Sequence, residues 1–274
     1  MRFGLDVAQH QLTWDELLSR TRFAEELGIE GAWVFDHFTP LYGDPNGPCL
    51  EAWTLLAGLA AATERIRVGA LVTGVTYRPP QILATQAVTV DHLSGGRLDL
   101  GMGAAWHGRE HRALGLDFPG PGERVAQLEE AIHVIRALLT TDDATYHGRY
   151  YRLEGATYRP RPVQQPMPPL WIAGSRPRMI GVAARHADVL HTFGGPDEIR
   201  RKRRLLERAA EEAGRDPAEV QIAADLSISE SLDVVRRNAE RFAEAGVDYL
   251  VLSWPEQGRA RVEQVWDDVL APWR

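Results

Sequence analysis

An acid beside an imidazole, Asp36-His37, is the pair best suited to proton transfer in this chain. Histidine titrates near neutral pH, so its ring can give or take a proton during a reaction. Both residues follow a strand-like run ending at Phe35, and successive strand residues face opposite ways. Only one of the two can therefore enter a site unless the strand is ending; otherwise His37 merely caps the strand and bonds to backbone. A second candidate, His107-Gly108-Arg109-Glu110-His111, spells H-x-x-E-H. On a helix its histidines would share a face and hold zinc, with the glutamate as base. Gly108 inside the motif and the glycine-rich run before it favour a loop, and no third-ligand motif accompanies it. No metal is expected, and Glu110 reads as the partner of an arginine such as Arg124. A third candidate, Gly174-Ser175-Arg176-Pro177, stands between a strand and a helix. Free N–H groups at a helix start, a hydroxyl and a guanidinium form a phosphate cradle. The alternative is a tight turn with Ser175 as N-cap. Trp106, just past a glycine-rich strand end, offers a flat surface for a ring.

The elements that must position these residues alternate regularly. Strand-like runs cover residues 2–7, 32–35, 67–73, 98–103, 170–173, 189–193, 220–226 and 249–253. Helical patterns follow at 13–28, 51–63, 79–93, 122–140, 178–186, 196–214, 231–246 and 259–270. Thr13 with Glu16 makes a capping box, and Gly28 ends that helix. Leu128, Ile132, Ile135 and Leu139 fall on one helical face. Eight βα units predict a closed (β/α)8 barrel, a TIM barrel, over residues 1–274 as one domain; the alternative, an open doubly wound sheet, is opposed by the lack of a G-x-G-x-x-G turn after any strand. In such a barrel the residues at the C-terminal strand ends carry the chemistry; those ends hold Asp36-His37, Gly103 to His107, Gly174 to Arg176, His191, Asp225 and Ser253. Two connections exceed plain loops: residues 39–50, and residues 141–169 before the fifth strand, where Tyr146 to Tyr151 suggests a small hairpin. Both are expected to build the pocket, with Tyr42, Tyr146, Tyr150 and Tyr151 as candidate lining.

Composition narrows the class. The 274 residues carry 31 basic and 38 acidic side chains, a net charge of −7, which opposes binding to nucleic acid or an anionic membrane. The basic run Arg200-Arg201-Lys202-Arg203-Arg204 lies among glutamates and reads as an ion-paired outer helix face. No apolar run has the length of a spanning helix, and the first residues lack a signal peptide's apolar core. The single cysteine, Cys49, excludes an internal disulfide, so a reducing cytoplasm is the expected location.

Several motifs together resemble a known family. They are Trp33-Val34-Phe35-Asp36-His37-Phe38, Gly47 to Trp53, Gly69-Ala70-Leu71-Val72-Thr73-Gly74 with Tyr77-Arg78, and Asp91-His92-Leu93-Ser94-Gly95-Gly96-Arg97. Leu100 to Trp106, Glu110, Gly122-Glu123-Arg124, Arg159 to Pro162 and Pro168 to Gly174 continue the pattern. In order and spacing they are similar to the luciferase-like monooxygenase superfamily, in its branch that uses the deazaflavin coenzyme F420. The resemblance implies a barrel with an insertion before the fifth strand, a deazaflavin across its mouth, a small-molecule substrate and a homodimer. It implies a non-prolyl cis bond at Leu71–Val72, so that Leu71, Val72 and Thr73 back the ring. It makes His37 the proton donor or ring hydrogen-bond donor, with Asp36 orienting it or binding the ring edge. Gly103, Ala104, Ala105 and Trp106 would pass beside the cofactor, and Gly174, Ser175 and Arg176 would hold its phosphate. Ala104 aligns with a phosphate-binding arginine of related flavin enzymes, which favours F420 over the alternative, FMN. Arg176-Pro177 replaces a family glycine, and Trp106 stands where deazaflavin glucose-6-phosphate dehydrogenases have a glutamate, so that substrate does not carry over.

Overall fold

The computed structural model describes residues 1–273. Eleven strands alternate with helices: β1 (Arg2–Asp6), β2 (Gly31–Val34), β3 (Arg67–Ala70), β4 (Thr73–Gly74), β5 (Leu98–Gly103), β6 (Ala144–His147), β7 (Arg152–Ala156), β8 (Leu170–Ala173), β9 (Val189–His191), β10 (Gln221–Leu226) and β11 (Tyr249–Ser253). The helices are α1 (Trp14–Leu27), α2 (Ala52–Ala62), α3 (Pro80–Ser94), α4 (Gly108–Leu114), α5 (Pro121–Thr140), α6 (Pro177–His186), α7 (Pro196–Glu212), α8 (Leu232–Glu244) and α9 (Arg259–Val265). The parallel order β3-β2-β1-β11-β10-β9-β8-β5 closes on itself through pairing of β3 with β5. The result is the (β/α)8 TIM barrel, with β6 and β7 as the insertion before its fifth strand.

Local chemistry explains the boundaries. Thr13 Oγ1 accepts the Glu16 N–H at the start of α1, and Gly28 ends it in the left-handed region. Pro80 opens α3 and Gly95 closes it the same way. α5 buries Leu128, Ile132, Ile135 and Leu139. The expected strand 67–73 is broken: Leu71–Val72 is a cis peptide, and β4 resumes on β5 with Thr73 level with Met102. The charged run on α7 behaves as an outer face, with Arg200 on Asp197 and Arg203 on Asp248; Lys202 folds inward onto Glu198 and the Phe193 carbonyl. No helix among the described residues is long and apolar enough to cross a membrane.

The bore is plugged beneath its mouth by Trp33, Trp171 and Tyr249, packed with Val189, Ala223 and Val251. Trp33 and Trp171 have ring centroids 4.4 Å apart. Small residues make room for them: a Cβ on Gly4 would lie 2.4 Å from the Trp33 indole nitrogen. This plug is the floor on which any ligand above must rest.

Candidate active site

A cavity of about 540 Å³ opens at the C-terminal strand ends. His37, Leu71, Val72, Gly103, Ala104, Ala105, Trp106, Gly174, Ser175 and Arg176 all line it. Thr73 and Asp36 do not. Thr73 is fully buried and accepts the Trp53 indole N–H at 3.0 Å. Asp36 is turned away from the mouth into a two-pronged ion pair with Arg78, which also reaches Glu51 at 3.2 Å. The alternation at positions 36 and 37 thus sends the acid into the wall and the imidazole into the cavity. Asp36 is a support of the loop rather than the group that orients His37.

That role belongs to Glu110. Its Oε2 lies 3.0 Å from His37 Nδ1 and accepts the Tyr77 hydroxyl. Its Oε1 accepts the Phe38 and Thr39 N–H groups, each at 2.9 Å, and the Thr39 hydroxyl at 3.0 Å. The side chain is fully buried, yet His37, Tyr77 and the backbone donor at Phe38 hold its carboxyl well below the usual carboxylate range. An ionised carboxylate only accepts, so His37 Nδ1 carries the proton on that side. His37 Nε2 has no protein partner among the described residues and is left to the cavity. Burial and Glu110 hold the Tyr77 phenol protonated.

The H-x-x-E-H segment therefore resolves differently from either expectation. It is helical from Gly108, but His107 stands outside as the N-cap, with no cap bond from its side chain. His111 turns to Thr76, with Nε2 to Oγ1 at 2.6 Å. Glu110 pairs with His37, not Arg124; Arg124 donates instead to the Ala104 and Pro119 carbonyls and stacks on Phe118. His37, His107 and Glu110 do present ligand atoms within 4.8 Å of one another. Both Glu110 oxygens already accept donors, so a metal would have to displace a completed network. The carboxylate is built to hold the imidazole.

The cavity walls at β5 and the Leu71–Val72 segment are close. A Cβ on Gly103 would lie 2.7 Å from Val72 Cγ2, so only glycine lets β5 approach the Leu71–Val72 segment. Trp106 is 66% exposed at the rim, stacked on His107 and edge-on to His37 at 5.7 Å. At the phosphate cradle, Ser175 is not the N-cap of α6; Arg176 holds that position without a side-chain bond. Ser175 Oγ is engaged with Thr192 and the Phe193 N–H. The exposed Arg176 guanidinium and the N-terminus of α6 remain as anion partners.

The long insertion does not reach the mouth. Its hairpin packs on α5, where Glu130 accepts the N–H groups of Arg149, Tyr150 and Tyr151. Leu41 and Tyr42, from the loop after β2, do line the cavity, while Tyr146, Tyr150 and Tyr151 do not. Asp6, at the end of β1, lines it with His191, Asp225 and Ser253. The sequence reading passed over Asp6, although a polar residue at a barrel strand's C-terminal end was the signal for it.

Comparison with known proteins agrees with this architecture. The family model for luciferase-like monooxygenase matches residues 1–268. The pyrimidine monooxygenase RutA of Cronobacter sakazakii is 34% identical over 75% of this chain, a match that spans 61% of that enzyme's length. An F420-dependent glucose-6-phosphate dehydrogenase of Microbacterium testaceum is 32% identical over 84% of this chain and 68% of its own. Among solved structures, an F420-dependent secondary alcohol dehydrogenase in complex with an F420-acetone adduct superposes with a TM-score of 0.88. At 21% identity, covering 100% of this chain and 99% of that one, it shares the fold. The chain belongs to the luciferase-like monooxygenase family of oxidoreductases.

Proposed function

We propose that the protein, acting as one barrel domain, transfers a hydride between C5 of coenzyme F420 and a small organic substrate. The observation that carries this reading is His37: one imidazole nitrogen is fixed on a buried carboxylate and the other is free over the cavity. The cavity volume lies within the range usual for small-molecule sites. Gly103, Leu71 and Val72 supply a smooth wall suited to a tricyclic ring, and Arg176 with the α6 N-terminus suits its phosphate. F420, when bound, supplies a hydride donor or acceptor at C5.

The chain's own residues supply the rest. Glu110 holds His37 Nδ1–H, so Nε2 is the atom that delivers a proton to the substrate or removes one. Tyr77, kept protonated, completes the Glu110 shell and blocks rotation of the imidazole. Trp106 and Tyr42 form the rim that shields the reacting atoms from water. A bound flavin is the second reading, favoured by the similarity to RutA; against it counts Ala104, which the family resemblance aligns with a phosphate-binding arginine of flavin enzymes. Homodimerisation and a cytoplasmic location belong to the same proposal, the first checked by light scattering.

The test is fluorescence titration of the purified protein with F420 and, separately, FMN. F420 binding at micromolar or tighter affinity, with FMN weak, supports the reading; FMN binding alone transfers it to the flavin monooxygenases. His37→Ala should then lower kcat by about 10²–10⁴-fold while the F420 dissociation constant stays within about threefold. Unchanged turnover would remove His37 from the chemistry.

A further inference from the structure

Half of the cavity mouth takes no part in the proton handling just described. Four adjacent strands, β9, β10, β11 and β1, end there and present His191, Asp225, Ser253 and Asp6. The register sets Asp6 level with Ser253, Asp225 level with Val251, and His191 level with Ala223. The two carboxylates therefore stand on strands separated only by β11.

Their hydrogen bonding is incomplete. Asp6 Oδ1 accepts the Ala8 N–H at 2.9 Å, and Asp225 Oδ1 meets His191 Nε2 at 2.9 Å. Neither second carboxylate oxygen has a protein donor among the described residues. His191 lines the cavity, is 2% exposed and has Nδ1 buried with no partner. Facing a carboxylate, Nε2 must donate, which leaves Nδ1 as a bare acceptor. Among the residues lining the cavity, Arg176 is the only arginine or lysine, and it stands at the phosphate cradle. The arc thus accumulates acceptors and negative charge with no arginine or lysine among its own lining residues. Asp225 keeps contact with solvent at 41% side-chain exposure, Asp6 is half-buried, and His191 Nδ1 alone is wholly buried; a cationic N–H donor satisfies such an acceptor set best. The exposed rings of Trp106, Tyr42 and Phe193 at the same mouth attract the same charge.

The geometry points to an ammonium subsite, in which Asp6 and Asp225, the latter held by His191, receive the protonated amine of the substrate and repel carboxylate- or phosphate-bearing analogues. Naming that amine as part of the substrate rests on the hydride-transfer reading above. The behaviour of Asp6 agrees: burial, with Asp225 adding to it and the Ala8 N–H and Arg20 only partly offsetting it, pushes its pKa up to about 7.

The test uses three probes of one size: benzylammonium, benzyl alcohol and benzoate. Their binding to cofactor-free and F420-loaded protein is measured by titration calorimetry at pH 8. Wild type should bind benzylammonium at least about tenfold more tightly than benzoate. D6N and D225N should each cut that preference at least about threefold, and the double variant should abolish it. D233N, on the exposed face of α8, should leave it unchanged. Equal binding of the three probes by wild type overturns the subsite, as does a preference that survives in the double variant. So does a double variant whose main loss is F420 affinity, because the arc then serves the cofactor ring. Failure of F420 to bind at all would overturn the hydride-transfer reading, yet leave the amine preference measurable in the cofactor-free protein.

Discussion

Two acids at the cavity, Glu110 behind His37 and Asp6 on the arc that holds His191, differ in how many donors surround them. Glu110 accepts from His37, Tyr77, Phe38 and Thr39, and its pKa falls although the side chain is fully buried. Asp6 accepts from Ala8 and faces Asp225, and its pKa rises to about 7. Burial raises both carboxyls; the donor shell decides the net direction. The His37 side is therefore a closed, preorganised network in which one nitrogen alone is free to react. The His191 side is open and short of donors, the condition of a surface that waits for a ligand.

The largest break in this comparison is Glu110→Ala. It leaves His37, Tyr77 and two backbone N–H groups without their acceptor, and should cost about 3–5 kcal/mol, read as a fall of roughly 10 °C or more in thermal unfolding. An unfolding midpoint within about 2 °C of wild type would show that the shell relaxes around the gap and that the network is not closed.

Acid titration sharpens the same contrast. Because the folded Glu110 carboxyl is held below its ordinary value, its stabilisation is present above the unfolded pKa of about 4.5 and is lost as pH falls through that range. Urea unfolding from pH 7 to pH 3 should show wild type losing stability faster than Glu110→Gln below about pH 4.5. Parallel curves would mean that other carboxylates carry the acid sensitivity.

Asp6 gives the opposite sign and the smallest effect. Its folded pKa is raised, so its contribution is fully present below the unfolded value near 4 and is lost as pH rises through about 7. The groups set against it are Asp225, the Ala8 N–H and Arg20. Asp6→Asn should gain on wild type between pH 5 and pH 8 by about 1 kcal/mol, a value reduced for its partial contact with solvent in the cavity. Denaturant midpoints at the two pH values decide it, and a variant that loses ground to wild type between them would reverse the account of this wall.

The barrel was legible because it is written in short-range patterns. Alternating strand and helix periodicities, the Thr13 cap, the glycine stops and the helix face of Leu128 to Leu139 each depend on neighbours within a few positions. Strand alternation indicated that only one of Asp36 and His37 could face the mouth; the ion pair of Asp36 with Arg78 decided that it is His37. The motif order of residues 33–38, 69–78 and 98–106 marked the family. What only the tertiary structure decided is the pairing of these parts. Glu110 meets His37 across 73 positions because closure of β3 on β5 brings α4, the helix after β5, to the end of β2. No local period records such a contact, so the H-x-x-E-H spelling suggested a metal or an arginine partner. The same closure gathers Asp6, His191 and Asp225, one residue from each of three strands spread over more than 200 positions, and it turns the tyrosine-rich hairpin onto α5, away from the mouth. Sequence sets which residues stand at strand ends; the ring of strands sets which of them share a wall.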